Sequence, residues 1–423
     1  MPDLYRVLSH AVAPLVPLWL ELRRWRGKED AARGQERLGH PSAQRPLGRL
    51  CWIHAASVGE ANSVLLLIEL MLKQYPHMKY LLTTGTVTSA RLMAARLPAG
   101  VIHQYAPVDT PDATERFMRH WRPDLAMWVE SEFWPNLIGA ANRWQCFMGV
   151  INGRISERSF RGWNKRPRMA RRMMQAFDFV FAQTEQDAQR LSALGAHPVQ
   201  CVGNLKYDAR PLACDEEKLA WLKEKTKGRT LLLAASTHPD EEKQILEAHT
   251  LLSATRPNLL TLIVPRHPQR GAALSQELGK NHRVALRSRG DSIAADTSLY
   301  IADTMGELGL FYRLCTVAFM GGSLVPHGGQ NPLEPARLST AILTGPYTYN
   351  FTDVFDKLEA AGGCIRVKNA ADLAAQLSVL LGNEQKTHLL QRQARNCVES
   401  LGGAVERLIT FLSPVLAYKG RNV

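Results

Sequence analysis

The sequence predicts an α/β protein made of two doubly wound domains in tandem, with a cleft between the carboxyl ends of their strands. Three observations point there. Short apolar runs alternate with amphipathic stretches through most of the 423 residues, the grammar of βαβ units. The alternation stops at a polar, proline-bearing stretch, "NLKYDARPLACDEEK" (204–218), and then restarts. In the second half, the segments after the apolar runs are rich in glycine, proline and charge, as suits ligand-binding loops at the carboxyl edge of a parallel sheet.

In chain order, the first element is an apolar segment from Leu4 to Leu22 that carries Arg6, His10, Pro14 and Pro17 and leads into Arg23, Arg24, Trp25, Arg26 and Lys28. It is too interrupted for a spanning helix, which needs about 20 apolar residues. An apolar body with tryptophans and a basic flank fits a segment lying in a membrane interface, or else a first helix docked on the domain. Strands follow at 50–55, 79–84, 100–105, 124–129, 146–151, 177–183 and 199–203, with helices between them at 61–75, 88–96, 111–121, 135–143 and 185–194. After the polar connection come strands at 230–235, 259–264, 283–287, 298–302, 315–320 and 340–344, with helices at 240–255, 270–279, 305–313, 333–338 and 353–360. Residues 370–414 read as two or three closing helices. The resulting division is a membrane-associating segment (1–30), a first domain (31–205) and a second domain (206–423).

Composition narrows the class. Apolar residues at 45% and charged residues at 22% describe a chain with a real core, not a disordered one. The seven cysteines are scattered without paired spacing, which fits free thiols in a reducing compartment. The net charge of +13 calls for a reason. Much of it lies in "RISERSFRGWNKRPRMARR" (154–172), with eight Lys/Arg against one acid. Nucleic acid, lipid phosphates or a merely solvated basic face would each account for it.

The loops carry the chemistry. Glu60 stands where the first apolar run turns into a helix, either as a first-turn cap or as a functional acid. Glu130 and Glu132 follow a strand two residues apart, suited to acid/base or charge-stabilising work if not to capping. In the second half, Ser236 or Thr237 could cap a helix or meet a phosphate, and Arg266 and His267 sit at a strand tip. Asp303 or Thr304 could cap a helix beginning at Met305, with Glu307 in its first turn. Gly321, Gly322, Gly328 and Gly329 bracket Pro326 and Pro332, as where backbone amides approach a ligand closely, and Glu334 is placed to hold ribose hydroxyls. Neither a dinucleotide fingerprint nor a P-loop is present. A carboxylate-bearing half and a phosphate-binding half make the layout of a group transferase with an activated nucleotide donor.

Seven motifs stand in one order along the chain: "HAASVGE", "ESEFWPN", "GNLKYD", "STHPDEE", "VPRHP", "DTMGEL" and "GGSLVPHGGQNPLEPA". Together they resemble the 3-deoxy-D-manno-octulosonic acid (Kdo) transferase family of lipopolysaccharide biosynthesis, over about residues 1–415. The resemblance implies a GT-B fold of two Rossmann-like domains with no metal and no cofactor. It implies transfer of Kdo from CMP-Kdo to the lipid A precursor (lipid IVA) at the cytoplasmic face of the inner membrane, with no nucleic acid partner. Glu60 becomes the general base, and Glu130 and Lys206 become transition-state stabilisers. Pro265, Arg266, Met305, Gly306, Glu307, Asn331, Pro332, Leu333 and Glu334 become the CMP site. Gln330 and Asn204 depart from the family pattern, where His and Ser are expected. The competing reading is a GT-B glycosyltransferase or epimerase acting on a UDP-sugar. A third is a non-catalytic module that binds nucleic acid or lipid through its basic face, against which the acidic loops speak.

Overall fold

The computed structural model of the protein describes residues 4–418. They form two compact units: the residues up to Ala209 together with those from Gly402 onward, and Arg210–Leu401. The first unit holds β1 (Leu50–His54), β2 (Lys79–Thr84), β3 (Val101–Tyr105), β4 (Leu125–Val129), β5 (Phe147–Gly153), β6 (Phe179–Ala182) and β7 (Val199–Cys201). They pair in the order β3-β2-β1-β4-β5-β6-β7, every pair parallel. The second unit holds β8 (Thr230–Thr237), β9 (Leu259–Pro265), β10 (Val284–Leu286), β11 (Leu299–Ile301), β12 (Val317–Met320), β13 (Ala341–Thr344) and β14 (Cys364–Arg366). Its order is β10-β11-β9-β8-β12-β13-β14, again wholly parallel.

Continuous apolar strands are what a sheet covered on both faces requires. In β1, Leu50 and Trp52 enter one core while Cys51 and Ile53 enter the core on the opposite face. β4 divides the same way, Ala126 and Trp128 against Leu125, Met127 and Val129. Side chains alternate across the sheet, so a strand without polar positions must be buried twice.

The structure departs from expectation in several places. The single helix expected at 61–75 is two, Val58–Ser63 and Leu65–Gln74. The basic stretch, given no element in the sequence, forms helices Glu157–Asn164 and Pro167–Met174, the second anchored by buried Ala170, Met173 and Met174. The polar connection contains helix Glu216–Lys225, capped by Asp215, whose carboxylate accepts the Lys218 N–H at 3.1 Å. The helix expected from Met305 begins only at Leu308.

Two domain boundaries also need correction. Of the three C-terminal helices, Ala370–Gly382 and Glu384–Ser400 belong to the second unit, whereas Ala404–Ala417 belongs to the first. Its apolar stripe, Ala404, Val405, Leu408, Leu412 and Leu416, packs into the first unit's core beside Ile68 and Met71. Asp208 accepts the Val405 N–H at 2.7 Å, satisfying a donor of that helix's first turn. The N-terminal segment is part of the first unit rather than a separate piece. Its two helices, Leu4–Val12 and Val16–Trp25, are joined through a turn containing Pro14. Tyr5 donates to Asp109 at 2.9 Å, and Leu20 packs against Val108 and Ala113.

Candidate active site

In an open parallel sheet, loops diverge where the strand order reverses, and ligands bind at that switch point. The first unit reverses between β1 and β4, and the second between β8 and β12. The loop after β1 delivers Glu60 and the loop after β4 delivers Glu130. The loop after β8 delivers His238, and the glycine-rich loop follows β12.

Glu60 is 7% exposed. One carboxylate oxygen accepts the Ala56 N–H and the other the Ser57 hydroxyl, both at 2.8 Å. Ser57 in turn accepts the Glu60 N–H at 3.3 Å, so serine and glutamate cap the helix reciprocally. Burial pushes the Glu60 carboxyl above its ordinary value, against the Ser57 and Ala56 hydrogen bonds, with help from the charges of Glu130 and Glu132. Capping and elevated basicity thus reside in one side chain.

β4 ends at Val129 because Glu130 takes a left-handed conformation, φ 60°, uncommon for a residue with a side chain. The two acids therefore diverge: Glu130 accepts from Lys206 Nζ at 2.7 Å, and Glu132 accepts from the Trp134 indole at 2.6 Å. Residues the sequence reading passed over hold this pair in place. Buried Asn152, also left-handed at φ 52°, accepts the Leu205 N–H at 3.0 Å and donates to Glu130 at 3.4 Å. Gln183 donates to the Asn152 carbonyl at 3.0 Å and accepts from Asn204 at 3.0 Å. Asn204 then accepts the Lys206 N–H at 3.0 Å, so the departure from the expected serine is absorbed as a cap. The one signal available beforehand was a polar residue at the end of an otherwise apolar strand.

In the second unit, Pro265 closes β9, and the exposed Arg266 is anchored by its N–H to the Thr237 carbonyl at 2.9 Å. His238 stacks on His327 with centroids 4.3 Å apart and meets His267 edge-on at 6.1 Å. Gln330, the other departure from the family pattern, lies 3.1 Å from the His238 ring nitrogen. Burial, then the neighbouring His327, His267, Arg266 and Arg270, lower His238 from 6.5 to about 4. Such an edge is electropositive and suited to a phosphate. Asn331 accepts the Leu333 N–H at 3.1 Å and donates to Glu334 at 3.3 Å, while Pro332 and Leu333 are buried. Met305 is 77% exposed and Gly306 is left-handed. Glu307 is committed elsewhere: Arg287 grips it with two hydrogen bonds, at 2.6 and 2.8 Å, and Lys218 donates at 3.1 Å. Neither Ser236 nor Thr237 caps the helix after β8, which begins at Glu241 behind left-handed Asp240. Among the described residues, no group of three or more His, Cys, Asp or Glu could hold a metal ion.

The first unit also carries an amphipathic surface. Leu4, Val7, Leu8, Val12, Leu15, Leu18, Trp19, Leu22 and Trp25 of the N-terminal helices are all exposed. All eight Lys/Arg of residues 154–172 are exposed as well. A groove of 560 Å³ between these elements is lined by Arg6, His10, Arg143, Met169 and Arg172 among others.

Two parallel seven-stranded sheets, each with its chemistry at the switch point, define an α/β enzyme of GT-B type. Residues 32–209 match the 3-deoxy-D-manno-octulosonic-acid transferase (kdotransferase) family. The chain is 33% identical over 429 residues to the 3-deoxy-D-manno-octulosonic acid transferase of Haemophilus influenzae, covering 99% of each. It is 33% identical over 394 residues to the enzyme of the same name from Rickettsia bellii, covering 93% of this chain and 94% of that one. The protein belongs to the Kdo transferase family. Among solved structures, the UDP-GlcNAc 2-epimerase of Neisseria meningitidis shares the fold, with a TM-score of 0.57 at 13% identity over 86% of this chain and all of that one.

The Glu307 brace makes a prediction. Its hydrogen bonds to Arg287 hold the carboxyl down from 4.5 to about 2. A depressed carboxylate stabilises the fold above its ordinary value, and that contribution is lost as pH falls toward the folded-state value. Glu307→Gln is therefore expected to cost about 2 kcal/mol near neutrality, the worth of charge-assisted hydrogen bonds. In urea melts, the gap between the two proteins should close as pH falls from 4.5 toward 2.

Proposed function

We propose that the protein transfers Kdo from CMP-Kdo to the lipid A precursor. The observation that carries this reading is the pairing of switch-point chemistries, acids with a lysine in one unit and an electropositive glycine-loop edge in the other. Family membership supplies the substrates. The acceptor's sugar hydroxyl gives its proton to Glu60 while its oxygen bonds the anomeric carbon of Kdo. The bond from that carbon to the CMP phosphate breaks, and CMP leaves with the electron pair. The carbon passes through an oxocarbenium-like state, which the Glu130 carboxylate stabilises, while Lys206 stabilises the charge that develops on the leaving phosphate. Pro265, Arg266, Met305, Gly306 and the run Asn331 to Glu334 hold CMP. Glu307 serves that site by bracing the loop that carries Met305 and Gly306.

A base that is also a cap needs a test that separates the two. Glu60→Gln should lower turnover by roughly 10²–10⁴-fold, the usual contribution of a general base. The lipid product would be followed by mass spectrometry, and melting compared in parallel. A melting temperature near that of the parent with a full loss of product supports the base, while retained turnover contradicts it. The elevated Glu60 carboxyl also places the acid limb of the rate profile above the ordinary carboxylate range, because activity is lost as the base is protonated.

We further propose that the N-terminal helices and the basic helices seat the protein on the anionic cytoplasmic face of the inner membrane. Exposed leucines and tryptophans beside exposed arginines support an interfacial mode of binding. Leu8→Glu together with Leu15→Glu should weaken co-sedimentation of the full chain with anionic phospholipid vesicles by at least ~10-fold, since each buried methylene contributes about 0.8 kcal/mol. Unchanged binding would remove these helices from the membrane contact.

A further inference from the structure

The glycine-rich loop looks from its composition like an amide cradle for a phosphate, but its first amides are already occupied. Glu241 is fully buried. One of its carboxylate oxygens accepts the Gly322 N–H at 2.7 Å and the His238 N–H at 3.3 Å. The other accepts Ser323 N–H at 3.0 Å and Leu324 N–H at 2.9 Å. Consecutive N–H groups converging on one anion form a nest.

The surrounding backbone is shaped to that end. Gly322 is left-handed at φ 67°, and Asp240, immediately before the acid, is left-handed at φ 68°. A Cβ on Gly321 would lie 2.3 Å from the Ser236 carbonyl oxygen, so the loop can lie against the end of β8 only through a glycine. Beyond it, Ser323 accepts the Gly345 N–H at 2.7 Å, and a Cβ on Gly345 would lie 2.1 Å from the Ser323 carbonyl oxygen. Burial pushes the Glu241 carboxyl up while these backbone N–H groups pull it down.

We infer that Glu241 is a positioning residue, an internal anion that fills the nest of residues 322–324 and sets the shape of the loop. The donor's phosphate is then met by side chains at the same edge, Arg266 as the cation with the imidazoles around His238 beside it, and not by those three amides. This inference rests on the reading that the second unit holds CMP.

Hydrogen exchange on the wild-type full chain tests it directly. The amides of Gly322, Ser323 and Leu324 should be protected without nucleotide, and saturation with CMP should leave their protection unchanged. Amides that exchange freely and become protected only with CMP would make them the phosphate cradle and overturn the inference. Glu241→Gln is the second arm, because its amide group must point a donor at two of the N–H groups. Exchange at 322–324 should rise by at least ~10-fold in this variant, and CMP should bind at least ~10-fold more weakly, a loss of about 1.4 kcal/mol. Wild-type affinity with exposed amides would overturn the positioning role. Failure of the wild-type protein to bind CMP would instead overturn the functional reading, while its exchange pattern would still decide whether Glu241 holds the nest.

Discussion

Burial of both faces of every central strand is the constraint on which the rest of this molecule depends. A parallel sheet sandwiched between helices has no polar face, so the sheet itself can present charge only at its strand ends and the loops that follow them. In each unit the strand order switches direction beside the first strand, and that is where the candidate functional side chains gather. Glu60 and Glu130 follow the two central strands of one sheet, and His238 and the glycine-rich loop follow the two central strands of the other.

The carboxylates at these edges divide by what satisfies them. Glu241 and Glu307 are saturated by backbone N–H groups and by Arg287 respectively, and act as fixed parts of the scaffold. Removing such a partner from a buried charge costs far more than the pair contributes. Glu130 is different, since its partner Lys206 is 37% exposed at the side chain and sits at the sheet edge. Glu60 holds only local hydrogen bonds and is raised in pKa by burial, which agrees with the base role proposed for it. The acids that look alike in sequence therefore have two occupations.

Much of the fold was legible because period and punctuation agree: thirteen of the fourteen strands fall on the apolar runs read from the sequence. The missing one, β14, follows Gly362 and Gly363 and reads Cys-Ile-Arg, only partly buried, so no apolar run marks it. The helices of residues 157–174 were hidden because their buried apolar stripe is three residues among seven cations. The destination of helix Ala404–Ala417 could not be read, since an amphipathic stripe does not say which core it will join. Of the candidates Glu60, Glu130 and Lys206 taken from the motifs, Glu130 and Lys206 meet in the structure. Asn152, Gln183 and Glu241 were not legible, because each acts through backbone groups brought together only by the crossover order of the strands.

The central claim is that a family defined by Kdo transfer, rather than the UDP-sugar chemistry of fold neighbours, describes what the second unit recognises. Calorimetric titration of the full chain with CMP and with UDP tests it most directly. The account predicts that CMP binds and that UDP binds at least ~10-fold more weakly, a difference of about 1.4 kcal/mol. Tighter binding of UDP would contradict it.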